Sequence, residues 1–277
     1  MTVHGHAPRL LFLDSGLGGL TVLRAARAAM PEAEVLFVAD DAGFPYGSKE
    51  ESVLIGRLVR IVEAASEEFL PDCIVLACNT ASTIALEVLR QISPVPVVGT
   101  VPAVKPAAAI TQSGLVSVLA TPGTVAREYT RTLIDHFGGG ARFTLAGADR
   151  LAGLAEDYAS GGIVDDDAIL AEIVPCFIEE DGARTDVIVL GCTHYPLLLD
   201  RLDALAPWPV IWLDPAPAIA RRIANILAQA GHTVGVGAKR GPGWIEFTSG
   251  RAPSPHLLSL LTLENLEVRP FQAAFAA

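Results

Sequence analysis

The sequence predicts an α/β protein built from two similar doubly wound parallel-sheet domains, and three observations predict it. Short apolar runs rich in Val, Ile and Leu alternate with longer amphipathic segments rich in Ala, Leu and Arg, as βαβ units do. Most of the apolar runs lack a polar face, which suits strands covered by helices on both sides. One pattern also occurs twice: Asp72-Cys-Ile-Val-Leu-Ala-Cys78-Asn79-Thr80 and Asp186-Val-Ile-Val-Leu-Gly-Cys192-Thr193-His194 share an Asp, an apolar strand, a small residue and a Cys followed by two polar side chains. The copies lie 114 positions apart, about one domain length, so each domain ends a central strand in a cysteine.

Taken in order, the first strand spans Arg9–Leu13 and breaks into Asp14-Ser15-Gly16-Leu17-Gly18-Gly19 before a helix that stops ahead of Pro31. Free N–H groups at that helix start, with short hydroxyl side chains, suit a carboxylate or phosphate. A dinucleotide fingerprint needs a third glycine where Thr21 stands, although Asp40 and Asp41 follow about twenty residues on. A tight turn with no ligand is the plain alternative. The second strand, Glu34–Ala39, opens into Asp40-Asp41-Ala42-Gly43-Phe44-Pro45-Tyr46-Gly47, where Tyr46 offers a hydroxyl and a flat face at a strand's carboxyl end. The third, Asp72–Ala77, leads through Cys78 to a helix whose Ala81, Ile84, Ala85, Val88 and Leu89 share one face. Further strands are predicted at Val95–Gly99, Leu115–Ala120, Arg142–Ala146, Asp186–Gly191 and Val210–Leu213, with helices in the gaps. In open α/β sheets ligands bind at strand carboxyl ends, and a cleft between the domains would let the two cysteines face each other.

Composition narrows the function classes. With 277 residues, 51% hydrophobic and 18% charged, the chain is neither disordered nor fibrous. Acidic residues outnumber basic ones 31 to 20, for a formal charge of −11, and no Lys/Arg cluster interrupts the excess, so nucleic acid is not an expected partner. The longest uncharged stretch, Pro106 to Ala126, holds Thr111, Gln112, Ser113, Gly114, Ser117, Thr121 and Pro122, which argues against a membrane span. Met1 to Pro8 shows His4 and His6 but no basic region leading into an apolar run, so a cytoplasmic location is expected.

The four cysteines, Cys73, Cys78, Cys176 and Cys192, are too few and scattered for a disulfide framework. Cys73 and Cys78 point to opposite faces of an extended strand, so a shared zinc is awkward and no metal is expected. Cys73 and Cys176 read as buried small hydrophobes. Cys78 and Cys192 each precede polar residues and a helix, whose N-terminus lowers a thiol pKa, which makes them candidate thiolates. His194 lies within reach of Cys192 or of a ligand, though a lone His is more often an ordinary surface residue. Two thiols from two related segments suit inversion at carbon, in which one group removes a proton and the other returns one to the opposite face. A single-cysteine nucleophile enzyme stands level with that reading on these residues alone, and a non-catalytic amino-acid-binding protein stands below both. None of the three lysines (Lys49, Lys105, Lys239) sits in a glycine/serine-rich phosphate motif of the kind pyridoxal phosphate uses.

Four motifs then carry a resemblance. Phe12-Leu-Asp14-Ser15-Gly16-Leu-Gly18-Gly19-Leu-Thr21-Val, Pro45-Tyr46-Gly47, Ala77-Cys78-Asn79-Thr80-Ala81-Ser82 and Leu190-Gly-Cys192-Thr193-His194-Tyr195-Pro196 resemble the glutamate racemases of the cofactor-independent Asp/Glu racemase superfamily. The likeness runs from about Leu10 to about Leu227. It implies two α/β domains related by a pseudo-twofold axis, drawn at 7–99 plus 214–270 and at 100–213, with the active site in the cleft between them. It also implies no cofactor, glutamate as substrate, D-glutamate made for peptidoglycan, and a homodimer. By resemblance Cys78 and Cys192 are the catalytic pair, with Asp14 and His194 assisting. Substrate contacts fall on Asp14, Ser15, Tyr46, Gly47, Asn79, Thr80, Thr193 and His194, and further on Thr121, Thr124 and Glu156. Two departures concern the loops: Asp41 and Gly43 stand in a Gly-Asp-Thr-Ala-Arg pattern, Gly43 where the arginine would be, and Thr100 to Pro106 replaces an acidic residue followed by Pro-Gly. A racemase of aspartate or a related acid, and an amino-acid-binding regulator, are the rival readings.

Overall fold

The computed structural model describes residues 6–232 and 239–271. Residues 1–5, part of the reading of the chain start, and 233–238, inside the 214–270 segment, lie outside them. Residues up to Thr100 and from Ala216 onward form one compact unit, and Val101–Pro215 forms another.

The first unit opens with β1 (Arg9–Asp14), α1 (Leu20–Ala29), β2 (Glu34–Ala39), α2 (Glu51–Phe69), β3 (Cys73–Leu76), α3 (Asn79–Ile92) and β4 (Val97–Gly99). Leu10 to Leu13 are wholly buried because helices cover both faces of the sheet. In α2, Leu54, Leu58, Ile61, Val62, Ala65 and Phe69 fall on one stripe and bury against β1, β3 and α3. Removing one such side chain, as in Leu58→Ala, costs about 2–5 kcal/mol. The Glu50 carboxylate accepts from the Ser52 and Val53 amides at the start of α2, and left-handed Leu70 followed by Pro71 ends it.

The second unit holds α4 (Val104–Ile110), β5 (Leu115–Ala120), α5 (Pro122–Val125), α6 (Glu128–Phe137), β6 (Arg142–Gly147), α7 (Leu151–Ala159), α8 (Asp166–Ile173), β7 (Glu179–Glu180), β8 (Ala183–Arg184), β9 (Val187–Leu190), α9 (Leu199–Leu205) and β10 (Ile211–Leu213). Its main sheet runs β10-β9-β5-β6, all parallel. Strands β7 and β8 form a small antiparallel hairpin whose turn residues, Asp181 and Gly182, both have positive φ.

The chain returns to the first unit with α10 (Ala216–Ala230), β11 (Gly243–Phe247), α11 (Pro255–Leu263) and β12 (Glu267–Arg269). Helix α10 packs on α1 through a stripe of Ile219, Ala220, Ile223 and Leu227. The sheet order is β12-β11-β2-β1-β3-β4, again wholly parallel. The expected strands all occur, with bounds that match or differ by one or two residues, and the helix whose apolar face is read over Ala81 to Leu89 begins earlier, at Asn79. Strands β7, β8, β11 and β12 were not among those expected.

In the first sheet the chain moves from β1 to β2 on one side and then to β3 on the other. The direction of winding therefore reverses between β1 and β3, the place where open α/β sheets bind ligands. In the second sheet it moves from β5 to β6 and then to β9, and the reversal falls between β5 and β9. The two strands that lead into Cys78 and Cys192, β3 and β9, hold the same topological place in their units.

Candidate active site

In the first unit, β1 and β3 pair with Leu13 opposite Leu76, and the Ala77 amide donates to Leu13 O at 2.8 Å. The two chains then diverge, carrying Asp14 and Ser15 on one strand and Cys78 on the other. Cys78 is the residue before the first turn of α3, in extended conformation, so its thiol stands at the N-terminus of a 14-residue helix. The Ser15 hydroxyl and the Cys78 Sγ lie 3.9 Å apart, and Asp14, Ser15, Cys78, Asn79 and Thr80 are all buried. Asp14 accepts the Gly19 amide at 2.8 Å, so its own carboxylate takes one of the N–H groups that the sequence offered to an external anion. Gly19 is required there, because a Cβ would come within 2.7 Å of the Ala77 Cβ.

Asn79 is the informative neighbour. Its Oδ1 and Nδ2 are both buried and neither finds a hydrogen-bond partner within the protein. An unsatisfied buried amide costs roughly 1–3 kcal/mol per group, so the site holds a donor and an acceptor beside Cys78 that a polar ligand would satisfy.

Tyr46 packs in the same apolar cluster as Cys78, but its hydroxyl donates to Asp40 Oδ2 at 2.7 Å. Burial and the Asp40 charge together push that hydroxyl well above its ordinary pKa. Fully buried Asp40 also accepts Arg57 Nε at 2.6 Å and the Thr248 hydroxyl at 2.6 Å, joining the end of β2 to α2 and to the residue after β11. Neither Arg57 nor Thr248 was singled out in the sequence, because each meets Asp40 only through the fold. Gly47 is exposed in the 3-10 turn Tyr46–Ser48 that packs on α3.

In the second unit, β5 and β9 pair with Leu119 opposite Leu190, and the Gly191 amide donates to Leu119 O at 2.7 Å. The strands then diverge toward Thr121 and Cys192. The hydroxyls of Thr121 and Thr124 lie 3.0 Å apart at the start of α5. Cys192 differs from Cys78 in its surroundings, since the helical structure after it is the 3-10 turn Tyr195–Leu198, which begins two residues beyond Thr193. What faces its thiol is a side chain: Cys192 Sγ lies 3.7 Å from His194 Nδ1, and His194 Nε2 lies 2.7 Å from Glu156 Oε1 on α7. All three residues are buried, as is Thr193. With its proton on Nε2 donated to Glu156, the imidazole turns the Nδ1 lone pair to the thiol, which is the arrangement of a base held by a carboxylate.

The remaining cysteines lie inside their cores. Burial pushes the Cys73 thiol up to about 12, with the Asp72 charge adding to it, and burial does the same to Cys176. Among the described residues the group of side chains close enough to share a metal ion is His6, Asp72 and His232. It sits at the amino end of β3, opposite the end that carries Cys78.

Comparison with known proteins bears on this arrangement. A family model described as Asp/Glu/Hydantoin racemase matches residues 21–223. The glutamate racemase of Brucella canis is 56% identical over 227 residues, 82% of either chain. That of Mesorhizobium japonicum is 52% identical over 243 residues, 87% of this chain and 92% of the relative. Among solved structures, Escherichia coli glutamate racemase in complex with L-glutamate and the activator UDP-MurNAc-ala superposes with a TM-score of 0.82 at 36% identity, covering 95% of this chain and 97% of that one.

Proposed function

Since the chain belongs to the Asp/Glu racemase family, we propose that it inverts the α-carbon of glutamate with two thiols, Cys78 and Cys192, and without a cofactor. It is an amino-acid racemase, an isomerase that interconverts L-glutamate and D-glutamate, and D-glutamate serves peptidoglycan synthesis. In each turnover one thiolate takes the α-proton, leaving the electron pair on the substrate carbon and its carboxylate. The other thiol gives its proton to the opposite face. The protonation states of the two sulfurs are thereby exchanged, and the same pair runs the reaction backwards.

One observation carries the reading. Of the four cysteines, Cys78 and Cys192 are the two that follow the strand at the winding reversal of their sheets, whereas Cys73 and Cys176 are core residues whose thiols burial holds near 12. The Glu156–His194 pair supports a base role beside Cys192, with His194 passing a proton to or from Sγ. Asp14, ending β1 next to the strand of Cys78, is the assisting carboxylate on the other side. The Asn79 amide suits an amino acid, since Oδ1 can accept from the ammonium group and Nδ2 can donate to a carboxylate. Ser15, Tyr46, Gly47, Thr80, Thr121, Thr124 and Thr193 complete the proposed substrate contacts, Tyr46 through its ring and its hold on Asp40.

The direct experiment is to dialyse the protein exhaustively against chelator and hydroxylamine and then follow optical rotation with L-glutamate. Racemisation should survive; activity that returns only with pyridoxal phosphate or a divalent metal would overturn the cofactor-free mechanism. Racemisation of aspartate in preference to glutamate would move the substrate assignment. Among the described residues no helix is long and apolar enough to cross a membrane. A cytoplasmic homodimer is the working form we propose, and a single monomer-sized species in sedimentation velocity would remove the dimer.

A further inference from the structure

At the amino end of the first sheet, away from the cysteines, two imidazoles meet one carboxylate. Asp72 ends the loop into β3, and its Oδ2 accepts the Arg9 amide at 2.8 Å, which fixes the orientation of the carboxylate. His6 Nδ1 lies 3.8 Å from Oδ2, and His232 Nε2 lies 3.5 Å from Oδ1. The three ligand-type atoms all fall within 4.8 Å of one another, and the two rings stand edge to face with centroids 5.5 Å apart. His232 is buried and held by its backbone amide, which donates to Leu227 O at 3.0 Å just beyond α10. His6 is exposed and can turn.

These spacings match what a small tetrahedral cation asks of its ligands. Donors about 2.0–2.2 Å from zinc stand roughly 3.3–3.6 Å from one another, so the His232–Asp72 distance of 3.5 Å already fits and the His6–Asp72 distance of 3.8 Å needs to close by a few tenths of an ångström. The exposed His6 ring supplies the remaining movement, releasing its 2.9 Å contact with Ala7 O. Two imidazoles and one carboxylate are the donor set of zinc-class ions; calcium and magnesium prefer oxygen alone. The Arg9 amide on Asp72 is the outer hydrogen bond that orients a ligating carboxylate. The ionisable side chains that approach Asp72 within 4 Å include these two histidines.

We propose that His6, Asp72 and His232 bind one divalent transition-metal cation of the zinc class, tying the residues ahead of β1 and the turn after α10 to the start of β3. The three ligands come from positions far apart in the sequence, so the ion would cross-link the first unit and add stability by mass action rather than take part in the reaction.

The test titrates chelator-stripped full-length protein with zinc against a chromophoric chelator and records the melting temperature. One zinc per chain should bind, the melting temperature should rise, and both effects should weaken at least tenfold in affinity in His232→Ala, Asp72→Asn and His6→Ala. Of these, His6→Ala alters an exposed residue and keeps the test decisive if the other two fold poorly. A Cys78→Ser/Cys192→Ser double variant should bind zinc as the natural sequence does, and the cobalt(II) form should lack a sulfur charge-transfer band. Retention of binding in the His6, Asp72 and His232 variants, its loss in the double cysteine variant, or no stoichiometric binding at all would overturn the site. Failure of racemisation in the earlier experiment would leave this result unaffected.

Discussion

At the scale of single residues, the two thiols are served differently. Cys78 stands at the start of α3 beside Ser15, while Cys192 faces an imidazole backed by Glu156. If the carboxylate sets the tautomer of His194, Glu156→Gln should lower kcat by roughly 10²-fold with little change in KM, because one acid/base group is weakened while the contour of the site is kept. One limb of the pH–rate profile should shift as well; an unchanged profile would make Glu156 a packing residue. Cys73→Ala and Cys176→Ala should keep near-normal turnover, since neither thiol is at a strand's carboxyl end, and inactivity in a folded variant would contradict the assignment. Much of this was legible. The Asp-strand-Cys repeat marked Cys78 and Cys192, and the motifs around them named Asn79 and His194. The pairing of Thr248 and Arg57 with Asp40 was not, because residues 57 and 248 meet Asp40 only after α2 and β11 are folded.

At the scale of elements, the strands with continuous apolar runs declared themselves, and β11 and β12, which carry charged residues among apolar ones, did not. Strand β11, Gly243–Phe247, carries Glu246 among Trp244, Ile245 and Phe247, which breaks the buried-strand pattern. That carboxyl is buried, with the Glu68 charge adding to the effect and Arg269 opposing it, and its pKa is pushed up to about 7. The folded state therefore holds a proton that the unfolded chain releases near 4.5, so stability falls as pH rises from about 4.5 to about 7, by up to about 3 kcal/mol. Thermal melts of Glu246→Gln should be flatter across that window and higher at pH 8; an equally steep melt would place the slope elsewhere. The β7–β8 hairpin was missed because its strands are charged and only two residues long, although Asp181-Gly182 is a strong turn signal. Gly43, which stands where the resembled pattern has arginine, has a physical reason: a Cβ there would lie 2.4 Å from Asp40 Oδ2 and 2.9 Å from Arg57 Nε. The guanidinium beside Asp40 is supplied by α2. Gly43→Ala should therefore destabilise by about 1–3 kcal/mol in denaturant unfolding, as overpacking does, and a neutral effect would mean that the Asp40–Arg57 pair readily moves.

For the whole molecule, the parallel α/β class followed from periodicity alone, because the inner strands of the two main sheets, β1, β2, β3, β5 and β9, are buried on both faces and almost wholly apolar. The winding reversals could not be read, since strand order depends on which side of β1 and of β5 each crossover lands. They are also what gives Cys78 and Cys192 equivalent places, and the central claim is that these two sulfurs serve opposite faces of one α-carbon. The most direct measurement follows the α-proton by NMR in heavy water for the natural protein, Cys78→Ala and Cys192→Ala, each given L-glutamate and D-glutamate separately. The natural protein should place solvent deuterium in the inverted product. Each variant should lose racemisation by at least about a thousandfold, a loss in keeping with the 10²–10⁴ of a single acid/base group when both are needed in every turnover. Each should exchange the α-proton of one enantiomer only, and the two variants should choose opposite enantiomers. Substantial racemisation by either variant, or exchange of both enantiomers by one of them, would show that a single base serves both faces.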